Sequence, residues 1–262
     1  MMEHLVWSIN PILFSFGSLS VHWYGVFFAT AILTGFQIMN FIYRHEKKPI
    51  EQLESLQIYI VIGIVVGARL GHCFFYDPVY YLSHPLKILA VNEGGLASHG
   101  GGIGAILATL FYAKKKKINF LYLLDRLAIP TAAFAFFVRM GNLMNSEIIG
   151  SKTDVPWAIV FSRVDAFPRH PTQVYEALSY ILIFGLLAAL YLYTQKAKQG
   201  GFIFGTFLLS VFSARVIIEF FKLKQAAYEN ILGMSTGQWL SIPFLLIGIW
   251  LIVTSVKRES KA

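Results

Sequence analysis

Seven apolar runs limit what this chain can become. They cover residues 21–43, 56–76, 96–113, 120–140, 173–194, 202–221 and 239–256. Each is near the roughly 20 residues that a helix needs to cross the hydrocarbon of a bilayer. In lipid every backbone N–H and C=O must be satisfied within its own segment, so such runs have to be helices. Composition agrees. Charged residues make up 14% of the 262, against about 25% in a soluble domain. The expected fold is therefore an all-α polytopic membrane protein with seven transmembrane helices, forming one integral membrane domain over residues 1–262. Residues 5–18 are apolar but interrupted by Pro11, and are expected to lie along the interface rather than span it.

The loops carry the orientation. One set holds Arg44, Lys47, Lys48, Lys114, Lys115, Lys116, Lys117, Lys196, Lys198, Lys257, Arg258 and Lys261. The other is longer in total, yet holds only Lys87, Lys152, Arg163, Arg169, Lys222 and Lys224. Basic residues favour the cytoplasmic side, so the N-terminus is expected outside and the C-terminus in the cytoplasm. The longest polar stretch, residues 142–172 between spans four and five, then forms a small extracytoplasmic head. The net charge of +8 is an orientation signal on this reading, and nucleic acid is not an expected partner. Cys73 is the single cysteine, so neither an internal disulfide nor a cysteine-built metal site is possible. The histidines His22, His45, His72 and His84 show no ligand spacing, and neither metal nor cofactor is expected.

Some residues do not belong in lipid. Arg69, Arg139, Glu176, Arg215 and Glu219 fall inside or at the edges of spans. Intramembrane charges are expensive and usually face the protein interior. Arg215 and Glu219 are four apart, share a helix face and are able to pair. Behind the apolar run 129–137, Arg139 is followed by Asn142, Asn145, Ser146 and Glu147. Polar groups buried beside such a run need partners. Arginines converging near one leaflet suit an anion, because the guanidinium grips phosphate oxygens in two places. His99 stands in Gly94-Gly95-Leu96-Ala97-Ser98-His99-Gly100-Gly101-Gly102. Glycines there serve either an anion at a helix start or close helix packing. The added histidine, able to hold a proton near neutral pH, favours a site. Gly233-Met234-Ser235-Thr236-Gly237 matches a hydrolase pattern, but it lies between two spans, without the strand and sharp turn that a nucleophile elbow needs.

The signature Arg139-x-Gly141-Asn142-x-x-Asn145-x-Glu147-x-x-Gly150 resembles that of the bacterial prolipoprotein diacylglyceryl transferases. Further matches follow in family order: His22-Trp23-Tyr24-Gly25, Gly67-Ala68-Arg69-Leu70-Gly71-His72, the His99 segment, Arg169-His170-Pro171-Thr172-Gln173-Val174-Tyr175-Glu176, Arg215-x-x-x-Glu219-Phe220 and Gly237-Gln238-Trp239. Lys222 stands where the family often has Arg; it keeps the charge and loses the fork. The resemblance implies transfer of the diacylglyceryl group of phosphatidylglycerol to the lipobox cysteine of a preprolipoprotein signal peptide. The place implied is the bacterial cytoplasmic (inner) membrane, with the active site toward the outer leaflet and membrane lipid as substrate. It further implies His99, Arg139 and Arg215 as catalytic residues. Tyr24, Arg69, Asn142, Asn145, Glu147, Gly150 and Glu219 would bind substrate. His99 is the leading candidate for the base and is alternatively a binder; Gly150 is expected to free the backbone to turn into the head. The rival reading is an anion transporter or channel using the same arginines, and a third is a lipid-binding scaffold.

Overall fold

A computed structural model describes residues 4–17, 19–90, 94–223 and 234–259. Its long elements are α1 (Trp23–His45), α2 (Ile50–Phe75), α4 (Ser98–Lys116), α5 (Phe120–Asn145), α6 (Thr172–Tyr193), α7 (Phe202–Glu219) and α8 (Thr236–Glu259), with a short α3 (Pro78–Ser83). Six of them, all but α3 and α4, are long and apolar enough to cross a membrane. The third expected span does form a helix, α4, but its glycine-rich start and terminal lysines keep it outside that set. The fourth is longer than expected. It continues to Asn145, so Asn142 and Asn145 join Arg139 on the last turns of the helix instead of opening the polar stretch behind it.

The chain divides into two compact units, residues 39–124 and residues 1–38 with 125–262. In the first, α2 packs on α4 with backbones nearly touching. Gly63 and Gly67 of α2 face Gly100 and Gly104 of α4, and a Cβ on Gly67, Gly100 or Gly104 would collide with the opposing main chain. Small residues are what allow membrane helices to approach so closely. Helix packing thus accounts for two of the glycines around His99, whereas a Cβ on Gly102 would meet nothing.

In the second unit, α7 begins where the Asp125 carboxylate of α5 accepts hydrogen bonds from Gly201 N (2.7 Å) and Phe204 N (2.8 Å). A buried acid is thereby used on the positive end of a helix, where unpaired N–H groups need acceptors. Helix α7 packs on α8 through Gly205 and Gly248 and a Phe212–Phe244 stack with centroids 4.3 Å apart.

The helical expectation holds in every long element; what it lacked is two small sheets. Strands β1 (Leu5–Trp7), β4 (Ile159–Phe161) and β5 (Pro168–Arg169) form one, in the order β1-β4-β5, and β2 (Ile12–Phe16) pairs antiparallel with β3 (Leu19–His22) in the other. Residues 5–7, part of the stretch 5–18 expected to lie along an interface rather than span it, pair in parallel with β4, where that strand offers an edge of backbone donors and acceptors. Trp7 also donates from its indole to Leu143 O (3.1 Å). Leu143, Ile149, Ile159 and Phe161 bury together beneath this sheet, with Trp7, Met140 and Val174 against them. That cluster seats the small sheet on the end of α5.

Candidate functional site

Helix α5 ends in a tight chain reversal. Ser146 has φ +57°, and its N–H bonds Leu143 O (3.0 Å) while the Glu147 N–H bonds Asn142 O (3.0 Å). This is the Schellman arrangement, which satisfies carbonyls that the helix end leaves free. Ile148 follows with φ +54°, a rare conformation for a β-branched residue. The start of α6 holds it there. Thr172 Oγ1 donates to Ile148 O (2.6 Å), and the Gln173 amide donates to Glu147 O.

The reversal folds Glu147 back over the last turn. Its carboxylate accepts from Asn142 Nδ2 (3.0 Å) and Asn145 Nδ2 (3.1 Å). Asn142 Oδ1 in turn accepts from Arg139 Nη1 (3.1 Å). Arg139 and Asn142 are three apart and so share a helix face. One chain of contacts therefore runs Arg139, Asn142, Glu147, Asn145, and it involves four residues singled out from sequence.

A second chain meets it at Arg139. Glu176, on the second turn of α6, has a carboxylate only 1% exposed; Arg139 Nε lies 2.8 Å from its Oε2 and Lys222 Nζ 2.9 Å from its Oε1. Lys222 Nζ is also 3.3 Å from Glu219 Oε2. Arg139 to Oε2 is a charge contact without hydrogen-bond alignment, whereas Lys222 donates to Oε1. Leaving a buried carboxylate with no cation would cost about 3–5 kcal/mol; here two cations share it. Among the described residues the Arg215–Glu219 pair does not form, and the cation beside the Glu219 carboxylate is Lys222. Arg215, four residues earlier on α7, lies instead within electrostatic range of Tyr180, as do Arg139 and Glu176. The cations of the cluster thus gather around α6.

Glycines shape this region by absence of volume. A Cβ on Gly150 would sit 2.6 Å from His170 Cβ, His170 O and Phe221 O. Gly150 does not have positive φ, so the expected conformational freedom is not its role. It lets three segments close on one another, with Gly150 N bonded to His170 O and Ser151 N to Phe221 O. A Cβ on Gly141 would lie 2.8 Å from the Tyr24 ring, and one on Gly237 2.6 Å from the Glu219 carboxylate.

The segment between α5 and α6 has its own electrostatics. Arg169 grips Asp165 and donates to Gly150 O (3.2 Å). The guanidinium hydrogen bond holds the Asp165 carboxyl below its usual range. His170 Nδ1 lies 3.0 Å from the Tyr175 hydroxyl, and its ring packs on Phe221 at 4.9 Å; burial lowers its affinity for a proton.

Arg69 and His99 belong to the other unit. His99 is exposed on the first turn of α4. Arg69 is 3% exposed, and its guanidinium donates to the carbonyls of Ile88 (2.9 Å), Lys87 (2.6 Å), Gly94 (2.5 Å) and Gly95 (3.2 Å). It also lies over the Tyr81 ring. From sequence, Glu176 counts only as an intramembrane charge and Lys222 only as a departure from a motif, and the contacts bring both into the site. The available signal was Glu176 itself, an acid at the edge of a span with no basic residue one turn away.

The chain matches the family model for prolipoprotein diacylglyceryl transferase over residues 11–254. Among similar curated proteins, the phosphatidylglycerol–prolipoprotein diacylglyceryl transferase of Tolumonas auensis is 56% identical across 98% of this chain and 100% of its own length. That of Chloroherpeton thalassium is 50% identical across 98% and 96%, and that of Bacteroides fragilis 42% identical across 97% and 96%.

Proposed function

The chain belongs to the prolipoprotein diacylglyceryl transferase family, and on that footing we propose that it transfers the diacylglyceryl group of phosphatidylglycerol to the lipobox cysteine of preprolipoproteins. The cysteine sulfur forms a thioether with the glycerol carbon. The bond from that carbon to the phosphate oxygen breaks, and glycerol phosphate leaves with the electron pair. The thiol proton passes to a base.

Each part of the chemistry makes a demand on side chains. A free thiol has pKa about 8.5 and is mostly protonated at neutral pH, so a base within reach speeds attack. His99, exposed at the start of α4, is our candidate for it. The leaving phosphate gains charge as the bond breaks, and fixed cations in a dry site stabilise that charge more than water does. Arg139 and Arg215 take this role. Asn142, Asn145 and Glu147 hold Arg139 and offer hydrogen-bonding groups to the headgroup, while Tyr24 packs on Gly141. Glu219 keeps Lys222 in place. Gly150 permits the close approach of Phe221 and His170. Arg69 anchors its own loop, since carbonyls already occupy its guanidinium. For the chain in the bacterial cytoplasmic membrane, we propose seven spans counting α4, the N-terminus outside, and the active site toward the outer leaflet. The twofold excess of basic residues on one set of loops supports that sidedness.

The observation that carries this reading is the Arg139 cluster, a cation fixed from two directions by Asn142 and Glu176 on the closing turn of an apolar helix. The test is purified protein in vesicles with phosphatidylglycerol labelled in its acyl chains and a lipobox peptide. Label should pass to the peptide cysteine, and not to a Cys→Ser peptide. Vesicles that move anions while the peptide stays unmodified would instead favour the transporter.

A further inference from the structure

We infer that Glu176 is a positioning residue for Arg139, and that Lys222 is the cation that holds Glu176 in that role. The inference rests on the transferase reading above. Three segments meet at this carboxylate: the end of α5 through Arg139, the start of α6 through Glu176 itself, and the segment just after α7 through Lys222. Each oxygen of Glu176 takes one cation, Oε2 the Arg139 Nε and Oε1 the Lys222 Nζ. Asn142 takes Arg139 Nη1. The guanidinium is thereby aimed from its Nε edge by Glu176 and from Nη1 by Asn142, with the Tyr180 hydroxyl also within its hydrogen-bonding reach.

Lys222 is not an independent phosphate ligand on this view. Its ammonium lies between Glu176 and Glu219, with its side chain 9% exposed. Two acids this close repel unless a cation sits between them. The backbone keeps Lys222 there. Gly150 and Lys222 form an isolated antiparallel bridge, and Ser151 N bonds Phe221 O at 2.8 Å. The same α5–α6 reversal that presents Glu147 therefore also fixes the depth of Lys222. Arginine 139 is steered by a carboxylate whose own orientation is set from the far end of α7.

The two roles separate in kinetics. A purely structural pair would change the amount of folded protein. A positioning pair changes kcat more than KM, because a guanidinium displaced by about 1 Å loses transition-state stabilisation worth about 100-fold in rate. The experiment measures lipobox-peptide transfer by full-length wild type, Lys222→Met, Lys222→Arg, Glu176→Gln and the Glu176→Gln/Lys222→Met double variant, each normalised to folded protein by size exclusion. Expected are losses in kcat of about 100-fold for Lys222→Met and about 10-fold for Glu176→Gln, with KM for phosphatidylglycerol within about threefold. Lys222→Arg keeps the cation and should restore most of the rate. The double variant should be no slower than Lys222→Met alone, since Glu176→Gln removes the very carboxylate that Lys222→Met leaves without its ammonium, and the two residues act as one unit. Wild-type kcat in Glu176→Gln, or losses in Lys222→Met that Lys222→Arg does not recover, would overturn the inference while leaving the transferase reading intact. Wild type that labels no peptide refutes the transferase reading, and this inference with it.

Discussion

Arg69 and Arg139 are both arginines embedded in apolar helices, and they are solved in opposite ways. Arg69 points its guanidinium at four main-chain carbonyls between Lys87 and Gly95. Carbonyl dipoles satisfy its donors but carry no net charge. Arg139 meets side chains: Asn142, which is itself held by Glu147, and Glu176, which is shared with Lys222. The first arrangement shapes a loop. The second keeps a cation fixed among groups that can exchange partners with a ligand. On the proposed reading, an intramembrane arginine whose donors are spent on backbone builds structure, whereas one held by side chains stays available to a ligand.

That contrast is open to direct attack. The largest expected effect is on chemistry: Arg139→Ala should lower transfer at least about 100-fold while its melting temperature in detergent stays close to wild type. Arg69→Met should do the reverse. It strands carbonyls that now accept charge-assisted bonds, each worth about 1.5–3 kcal/mol, so the protein should melt earlier, and any folded fraction should still transfer. Equal melting losses in both variants would erase the distinction.

Next in size is the contrast between glycines. Gly67→Ala forces α2 off Gly100 of α4 and should destabilise by about 1–3 kcal/mol, as overpacking does. Gly150→Ala presses on His170 and Phe221, next to Lys222. It should reduce kcat beyond its effect on stability, and activity per folded molecule equal to that of Gly67→Ala would argue against a link from Gly150 to the site.

A smaller effect concerns pH. His170 binds its proton less readily folded than unfolded, because it is partly buried against Phe221 and Tyr175. Its contribution to stability is complete above its ordinary value of about 6.5, and is lost as pH falls through and below that value. A His170→Gln variant should show a flatter fall in melting temperature from pH 7 to 5; an unchanged slope would exclude His170 as the source. Smallest is Ser146→Gly. It removes the roughly 1 kcal/mol strain of a left-handed non-glycine against the greater freedom of glycine in the unfolded chain, so melting should move only slightly and transfer should persist.

Much of this is legible in the sequence. Apolar runs of span length located α1, α2, α5, α6, α7 and α8 within a few residues, since a membrane helix needs no long-range partner to declare itself. The signature from Arg139 to Glu147 was also readable, because its contacts are local: three and five residues separate the members of its hydrogen-bond chain. The end of α5 was misplaced because polar Asn142 and Asn145 look like loop residues until Glu147 folds back to satisfy them.

Sequence by itself determined that this chain is a helical membrane protein with a cluster of polar and basic residues behind its fourth long apolar run, and its motifs pointed to the family. Only the tertiary structure decided which charges meet. Glu176 and Lys222 are 46 residues apart and join through α6 and α7; Leu5–Trp7 and Ile159–Phe161 lie at opposite ends of the chain's first 161 residues and pair as strands. The pairing of Glu219 with Lys222 rather than Arg215, and the spending of Arg69 on carbonyls, were equally hidden. The physical reason is the same in each case. Burial and helix periodicity are properties of a segment, whereas the partner of a buried charge depends on what the packing of other segments brings within about 4 Å of it.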